Sequence, residues 1–322
     1  MKYLRALPYS IILSIFSLGI FLSGCVSEPT EDCFTGALWK VTIDLQYEHN
    51  MRYADEFPTN INTVEIYAYD NMGVLFDTFE FLRSDISSNN YDADIDLPDG
   101  NYTLVAWVNR SGSYLADNTG DKSTGTIELM RNASQEISTD QDPLLYGTTN
   151  VTVHRGDTQG EIKLIKNTNI INVRCNFDKA LAAVVTAEVR ITGTNGIYDF
   201  DNNSVQTPNA QTYYIPTASS FVLVGAGQAN DDKFTVMRLI PGDNLTLTVT
   251  IKNPSAPDEV IKTLLLTSTI MSNPTYNNQS MLDRQDEYDI TLDLQYDDLF
   301  NTWMVTAILI EDWDIVKGET GI

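Results

Sequence analysis

Apolar residues recur at every second position through most of the chain. That spacing sets them on one face of an extended strand and leaves polar residues on the other. Val41, Ile43, Leu45 and Tyr47 share one face, with Thr42, Asp44 and Gln46 opposite. Val64, Ile66 and Ala68 alternate before the turn residues Asp70-Asn71-Met72-Gly73, and Leu104, Ala106 and Val108 do so after Pro98-Asp99-Gly100-Asn101. Similar runs predict strands at 151–153, 170–177, 188–192, 221–224, 245–251, 261–266, 288–296 and 303–310. Helical periodicity is nearly absent; the Ala-rich stretch 177–189 is the one place that reads as a short helix or turn before a strand. Many short strands punctuated by Gly, Pro, Asn and Asp predict an all-β chain built as antiparallel sandwiches.

The two halves resemble each other. Pro98-Asp99-Gly100-Asn101-Tyr102-Thr103-Leu104 matches Pro241-Gly242-Asp243-Asn244-Leu245-Thr246-Leu247 at Pro, Asn, Thr and Leu. Strands at 41–47 and 64–73 precede the first copy, and strands at 171–177 and 188–196 precede the second in the same order. The spacing is far longer than a solenoid repeat, so it predicts one sandwich used twice. At about 150 residues per domain the length agrees. The polar stretch 154–160 is the expected boundary, giving an N-terminal sandwich at 35–157 and a C-terminal one at 158–322.

Ahead of the strands, Lys2 and Arg5 precede an apolar run from Ile11 to Leu22. The run is shorter than the roughly 20 residues a membrane-spanning helix needs and suits the apolar region of a secretory signal. It ends in Leu22-Ser23-Gly24-Cys25, which resembles a bacterial lipobox. Residues 1–24 are therefore expected to be a lipoprotein signal peptide, with the Cys25 thiol carrying a diacylglycerol and the new amino terminus acylated. Two or three chains hold a membrane stably where one does not. Residues 25–34 read as an acidic tether, and Val26 stands where an inner-membrane retention Asp would sit. The expected location is the cell outer membrane, lipid-anchored and surface-exposed.

Composition narrows the chemistry. With 44 acidic against 20 basic residues the formal charge is −24, which argues against nucleic acid and against electrostatic docking to anionic lipid. Two His and three Cys are few for zinc or iron–sulfur sites. His49 and His154 read as surface residues, and no nucleophile, zinc-protease or phosphate-loop motif accompanies them. Asp92, Asp94 and Asp96 alternate, but Leu97 and Thr103 occupy the places where a calcium loop needs Gly and an acidic ligand; a solvated strand face is the better reading. No enzyme activity, cofactor or metal is expected. Cys33 and Cys175 are able to pair in an oxidising envelope, although Cys175 alternates with Ile171, Val173 and Phe177 and so should point into a core. The sixteen Tyr suit either strands or a sugar-stacking surface, and strands favour Tyr anyway.

The ordered set Cys25, Val41-Thr42-Ile43-Asp44-Leu45-Gln46-Tyr47, Val64-Glu65-Ile66-Tyr67-Ala68-Tyr69-Asp70-Asn71-Met72-Gly73, Leu97 to Asn109, Pro143-Leu144-Leu145-Tyr146-Gly147 and Ile308-Leu309-Ile310-Glu311-Asp312-Trp313 resembles the FimB-type fimbrial anchor family of type V fimbriae. The resemblance implies two tandem transthyretin-like β-sandwich domains. It also implies a role in holding the base of a fimbria (pilus) at the outer membrane and ending its assembly by engaging a stalk subunit. Such subunits join by β-strand addition. The expected joint is the closing strand with Trp303, Val305, Ala307 and Leu309, together with Trp313 and the short tail, or else an exposed sheet edge. The competing expectation is a surface lipoprotein that captures glycans or acts as an accessory or tip adhesin.

Overall fold

Alternation becomes sheet directly in the first half. A computed structural model describes residues 36–317 apart from 58–60, 87–90, 111, 138–139, 182–184, 225–226 and 312. The signal peptide expected at 1–24, Cys25, Cys33 and the tether expected at 25–34 lie outside the described residues. In chain order the first half forms β1 (Leu38–Gln46), β2 (Thr63–Tyr69), β3 (Leu75–Leu82), β4 (Asp92–Pro98), β5 (Gly100–Val108), β6 (Tyr114–Asp117), β7 (Thr126–Leu129), β8 (Glu136–Ile137), β9 (Leu145–Val153), β10 (Thr158–Lys163) and β11 (Ile165–Lys166). A three-stranded sheet, β10-β1-β4, packs on a five-stranded one, β11-β9-β5-β2-β3. Val41, Ile43 and Leu45 from one sheet meet Val64, Ile66, Leu104 and Ala106 from the other, all fully buried. Each such Val, Leu or Ile side chain contributes about 1.5–3 kcal/mol of burial free energy.

Turn chemistry fixes the register. Asp70 Oδ1 accepts the amides of Met72 (2.8 Å) and Val74 (2.9 Å), and Gly73 takes the left-handed φ of +81° that the turn requires. Gly147 allows β10 to pass close over β9, since a Cβ there would lie 2.4 Å from Ile162 Cγ2.

The second half forms β12 (Thr168–Phe177), β13 (Thr186–Gly193), β14 (Ile197–Asp199), β15 (Thr212–Tyr214), β16 (Ala218–Val224), β17 (Gly227–Met237), β18 (Thr246–Lys252), β19 (Glu259–Leu265), helices α1 (Leu266–Met271) and α2 (Gln279–Arg284), β20 (Glu287–Asp297), β21 (Thr302–Ile310) and β22 (Trp313–Lys317). Pairings follow those of the first half. β12 lies between parallel β20 and antiparallel β17, as β1 lies between parallel β10 and antiparallel β4. β13 pairs with β18 as β2 pairs with β5. To this plan the second half adds β16 at one edge and β21–β22 at the other, giving the sheet β16-β17-β12-β20-β21-β22. The helices fall where the sequence predicts a strand end and loop, while the described residues between β12 and β13 are not helical.

Two expectations about the division of the chain meet a different arrangement. Residue 158, expected to open the second sandwich, begins β10, which pairs with β1 in the first; the chain crosses over at 164–167. The halves also interlock. From the excursion between β5 and β9, β7 pairs with β14 and β8 pairs with β15. Phe200 of the second half, fully buried, stands edge-on to Tyr67 (5.0 Å), Tyr69 (5.9 Å) and Trp107 (6.1 Å) of the first. Strands β2 and β5 are thus buried on both faces, and the second apolar core runs unbroken from the first half's sheet into the second. Arg284 adds a polar clasp, donating to the carbonyls of Asn50 (3.0 Å) and Glu48 (3.3 Å) and covering the Tyr53 ring at 4.5 Å.

Candidate functional site

The residues expected to form the joint do not share one face. Opposite Asp293 and Leu294, β21 carries one extra residue, Thr306: Asp293 pairs with Ala307 and Leu294 with Val305. A bulge of this kind reverses the inside–outside alternation beyond it. Trp303 and Val305 therefore face the core, as do Ile308 and Ile310, whereas Ala307 and Leu309 share the outer face with Asp293 and Thr291. Trp303 stands edge-on to Phe177 (4.9 Å) and Tyr296 (5.2 Å). β21 is not an edge: β20 pairs with it on one side, and β22, which contains Trp313, pairs with Ala307–Ile310 on the other. Lending β21 to a neighbour would empty the core of Trp303, Ile308 and Ile310. Trp313 and the start of the short tail form the edge strand β22.

At the other end of the chain, β1 fills a slot. Six residues, Val41 to Gln46, pair in parallel with Thr158 to Lys163, and Leu38 to Asp44 pair antiparallel with Pro98 to Asp92. Val41, Ile43 and Leu45 are the apolar teeth of this strand, and none is exposed. Leu38 lies thirteen residues after Cys25, so the strand seated in the slot continues directly into the expected lipid tether.

The remaining candidates take structural places. Asp94 and Asp96 are exposed on β4, with Asp94 bound by Lys40 Nζ (2.7 Å) and Thr42 Oγ1 (2.7 Å), which holds its carboxyl below the usual range. His154 is exposed beside Asp99, 3.6 Å away. His49 is half-buried instead of on the surface, its Nε2 3.1 Å from the Ser280 carbonyl across the junction between halves, and burial pulls its pKa down. Cys175 is fully buried and free of any disulfide among the described residues, and burial pushes its thiol far up. Ten of the sixteen Tyr are buried, and several of their hydroxyls donate to internal acceptors, as in Tyr114 to the Asp142 carbonyl (2.9 Å) and Tyr198 to the Arg238 carbonyl (3.1 Å). An open groove of about 500 Å³ crosses the outer face of β16, β17, β12 and β20, lined by Asn172, Arg174, Ser220, Asp231, Asp289 and Glu311. Its lining contains no aromatic ring on which a sugar would stack. Among the described residues no cluster of His, Cys, Asp or Glu is set to hold a metal ion, and no helix is long and apolar enough to cross a membrane.

Residues 30–318 match the family described as Fimbrillin-A associated anchor proteins Mfa1 and Mfa2. No curated protein matches the chain. Among solved structures, the fimbrial anchor protein Mfa2 of Porphyromonas gingivalis superposes with a TM-score of 0.73 at 22% identity, covering 87% of this chain and 99% of that one. A Bacteroides thetaiotaomicron protein provisionally described as polysaccharide-binding gives 0.72 at 22% identity, covering 86% and 97%. A Bacteroides ovatus protein provisionally described as an adhesin gives 0.68 at 16% identity, covering 86% and 94%. At these identities the structures establish a shared fold.

Proposed function

The chain belongs to the Fimbrillin-A associated anchor family, and from that premise we propose that it is an outer-membrane lipoprotein, acylated at Cys25, that holds the base of a fimbria and ends its assembly. One observation carries the reading. The slot between β10 and β4 is filled by the chain's own β1, which leads straight back to the tether. In a polymer joined by strand addition, each member needs an open slot for its neighbour's strand. A subunit whose slot is filled by a strand tied to the membrane offers no such place, so growth stops there and the polymer is moored. The joint to the stalk subunit then uses a free sheet edge, because donating β21 would strip Trp303, Ile308 and Ile310 from the core. Glycan capture draws less support, since most of the Tyr stock is buried and the groove across β16, β17, β12 and β20 lacks rings.

Replacing Cys25 by Ala tests the mooring: cells are expected to shed fimbriae into the medium, and fimbriae that stay attached would overturn it. Truncation after Asp312 removes β22 and tests the tail. Co-purification of the stalk subunit is expected to survive it, and its loss would return the joint to the C-terminal end.

A further inference from the structure

Sheet edges expose unpaired main-chain donors and acceptors, and folded proteins blunt them with charge, Pro, bulges or brevity. Nine of the ten edges formed by the described sheets carry such a device. Charged residues lie in β10 (Glu161, Lys163), in β4 (Asp92, Asp94, Asp96, with Pro98) and in β3 (Asp77, Glu80). β19 carries Glu259 and Lys262 beside a register shift, and β22 carries Asp314 and Lys317 beside another. β8 and β11 are two residues long, β14 is three and β6 four.

β16 is the exception. Its seven residues, Ala-Ser-Ser-Phe-Val-Leu-Val, contain no charge and no Pro, and they pair with β17 without a break from Ala218–Lys233 to Val224–Gly227. Phe221, Val222 and Leu223 are 55, 48 and 75% exposed. Register fixes their directions. Phe221 lies opposite Asn230, itself opposite the core residue Cys175, and Leu223 lies opposite Gln228, itself opposite Phe177. Both therefore project to the inner side of the sheet and overhang the sandwich, while Val222 takes the outer side.

We infer that the free edge of β16 receives an extended strand of the fimbrial subunit, apolar at the alternate positions that meet Phe221 and Leu223 and neutral or basic at the others. The inference rests on the anchoring role proposed above and names its joint. Main-chain hydrogen bonds supply the affinity of such a joint and alternate side chains its register. Charge selects the occupant. The outer groove beside β16 carries Asp231, Asp289 and Glu311 against Arg174 and Lys233, and the whole chain carries −24. A second copy would bring the same negative field to the same edge, whereas a neutral or basic strand meets no such repulsion.

The test uses the full-length lipoprotein in cells and fimbriae purified from those cells. A single edge charge, Leu223→Lys or Ser220→Lys, sits at an exposed position in each case and should leave the melting curve unchanged. Either is expected to lower the fimbrial polymer co-purified with the anchor by about tenfold or more. Adding purified fimbriae to the wild-type protein is expected to slow amide exchange in β16. Fully retained polymer in both variants, with β16 amides unprotected, would overturn the inference while the shedding of fimbriae by Cys25→Ala left the anchoring role standing. Wild-type protein that co-purifies no fimbriae and a Cys25→Ala strain that sheds none would instead remove the anchoring role itself. A wild-type dimer that Leu223→Lys converts to monomer would overturn the choice of partner in favour of a second copy.

Discussion

Trp303 and Leu309 sit on the same strand at positions of equal parity, yet the bulge at Thr306 gives them opposite fates. Trp303→Ala is expected to lower unfolding free energy by about 3–5 kcal/mol, as for other buried aromatics. Leu309→Ala, on the outer face, is expected to cost about 1 kcal/mol or less. Urea titrations of the two variants check this, and equal losses would mean that the bulge is misplaced. Asp232 supplies a pH-dependent counterpart. Burial raises its carboxyl above the ordinary value of 3.8, outweighing hydrogen bonds from Ser219 and Asn230 that act in the opposite direction. The native state therefore holds the Asp232 proton more tightly than the unfolded chain does. Its contribution is present at low pH and is lost as pH rises through the raised native value. Asp232→Asn is expected to melt higher than wild type at neutral pH, with the difference closing as the pH falls through the raised native value toward 3.8. A difference that grows on acidification would contradict the assignment.

Among elements, β9 and β10 show how a missing side chain sets a crossing. Gly147 on β9 lies under Ile162 and the Lys163 carbonyl, where an added Cβ would come within 2.4 and 2.8 Å. Gly147→Ala is expected to destabilise by about 1–3 kcal/mol through overpacking, measurable as a lowered denaturation midpoint. Gly112→Ala, with open space at its Cβ, is the matched control. Local pattern foretells β12, β13, β18, β20 and β21 to within a few residues, because each alternates cleanly. It misses β17, whose Asn230-Asp231-Asp232-Lys233 segment is polar on both faces. That segment is a strand because β12 and β16 pair with it on either side.

The molecule as a whole behaves as one interlocked body in its packing. β7–β14, β8–β15 and Phe200 tie the halves through main chain and core together. Unfolding of the wild-type protein followed by Trp fluorescence and by far-UV circular dichroism is expected to give coincident transitions. Phe200→Ala, expected to cost about 3–5 kcal/mol, should lower both transitions together. Separated transitions in the parent protein would show that the two cores open independently.

Period-two patterning and turn residues determine, from the sequence alone, that the chain is all-β and where many of its longer strands lie. The lipobox-like Leu22-Ser23-Gly24-Cys25 and the order of motifs likewise point from sequence to the fimbrial anchor family. Only tertiary structure decides that β10 belongs with β1, that β21 is interior, and that β16 is left with an unguarded edge. Those outcomes depend on which distant strand supplies the second row of hydrogen bonds, a choice made by long-range packing that a local alternation of side chains does not encode.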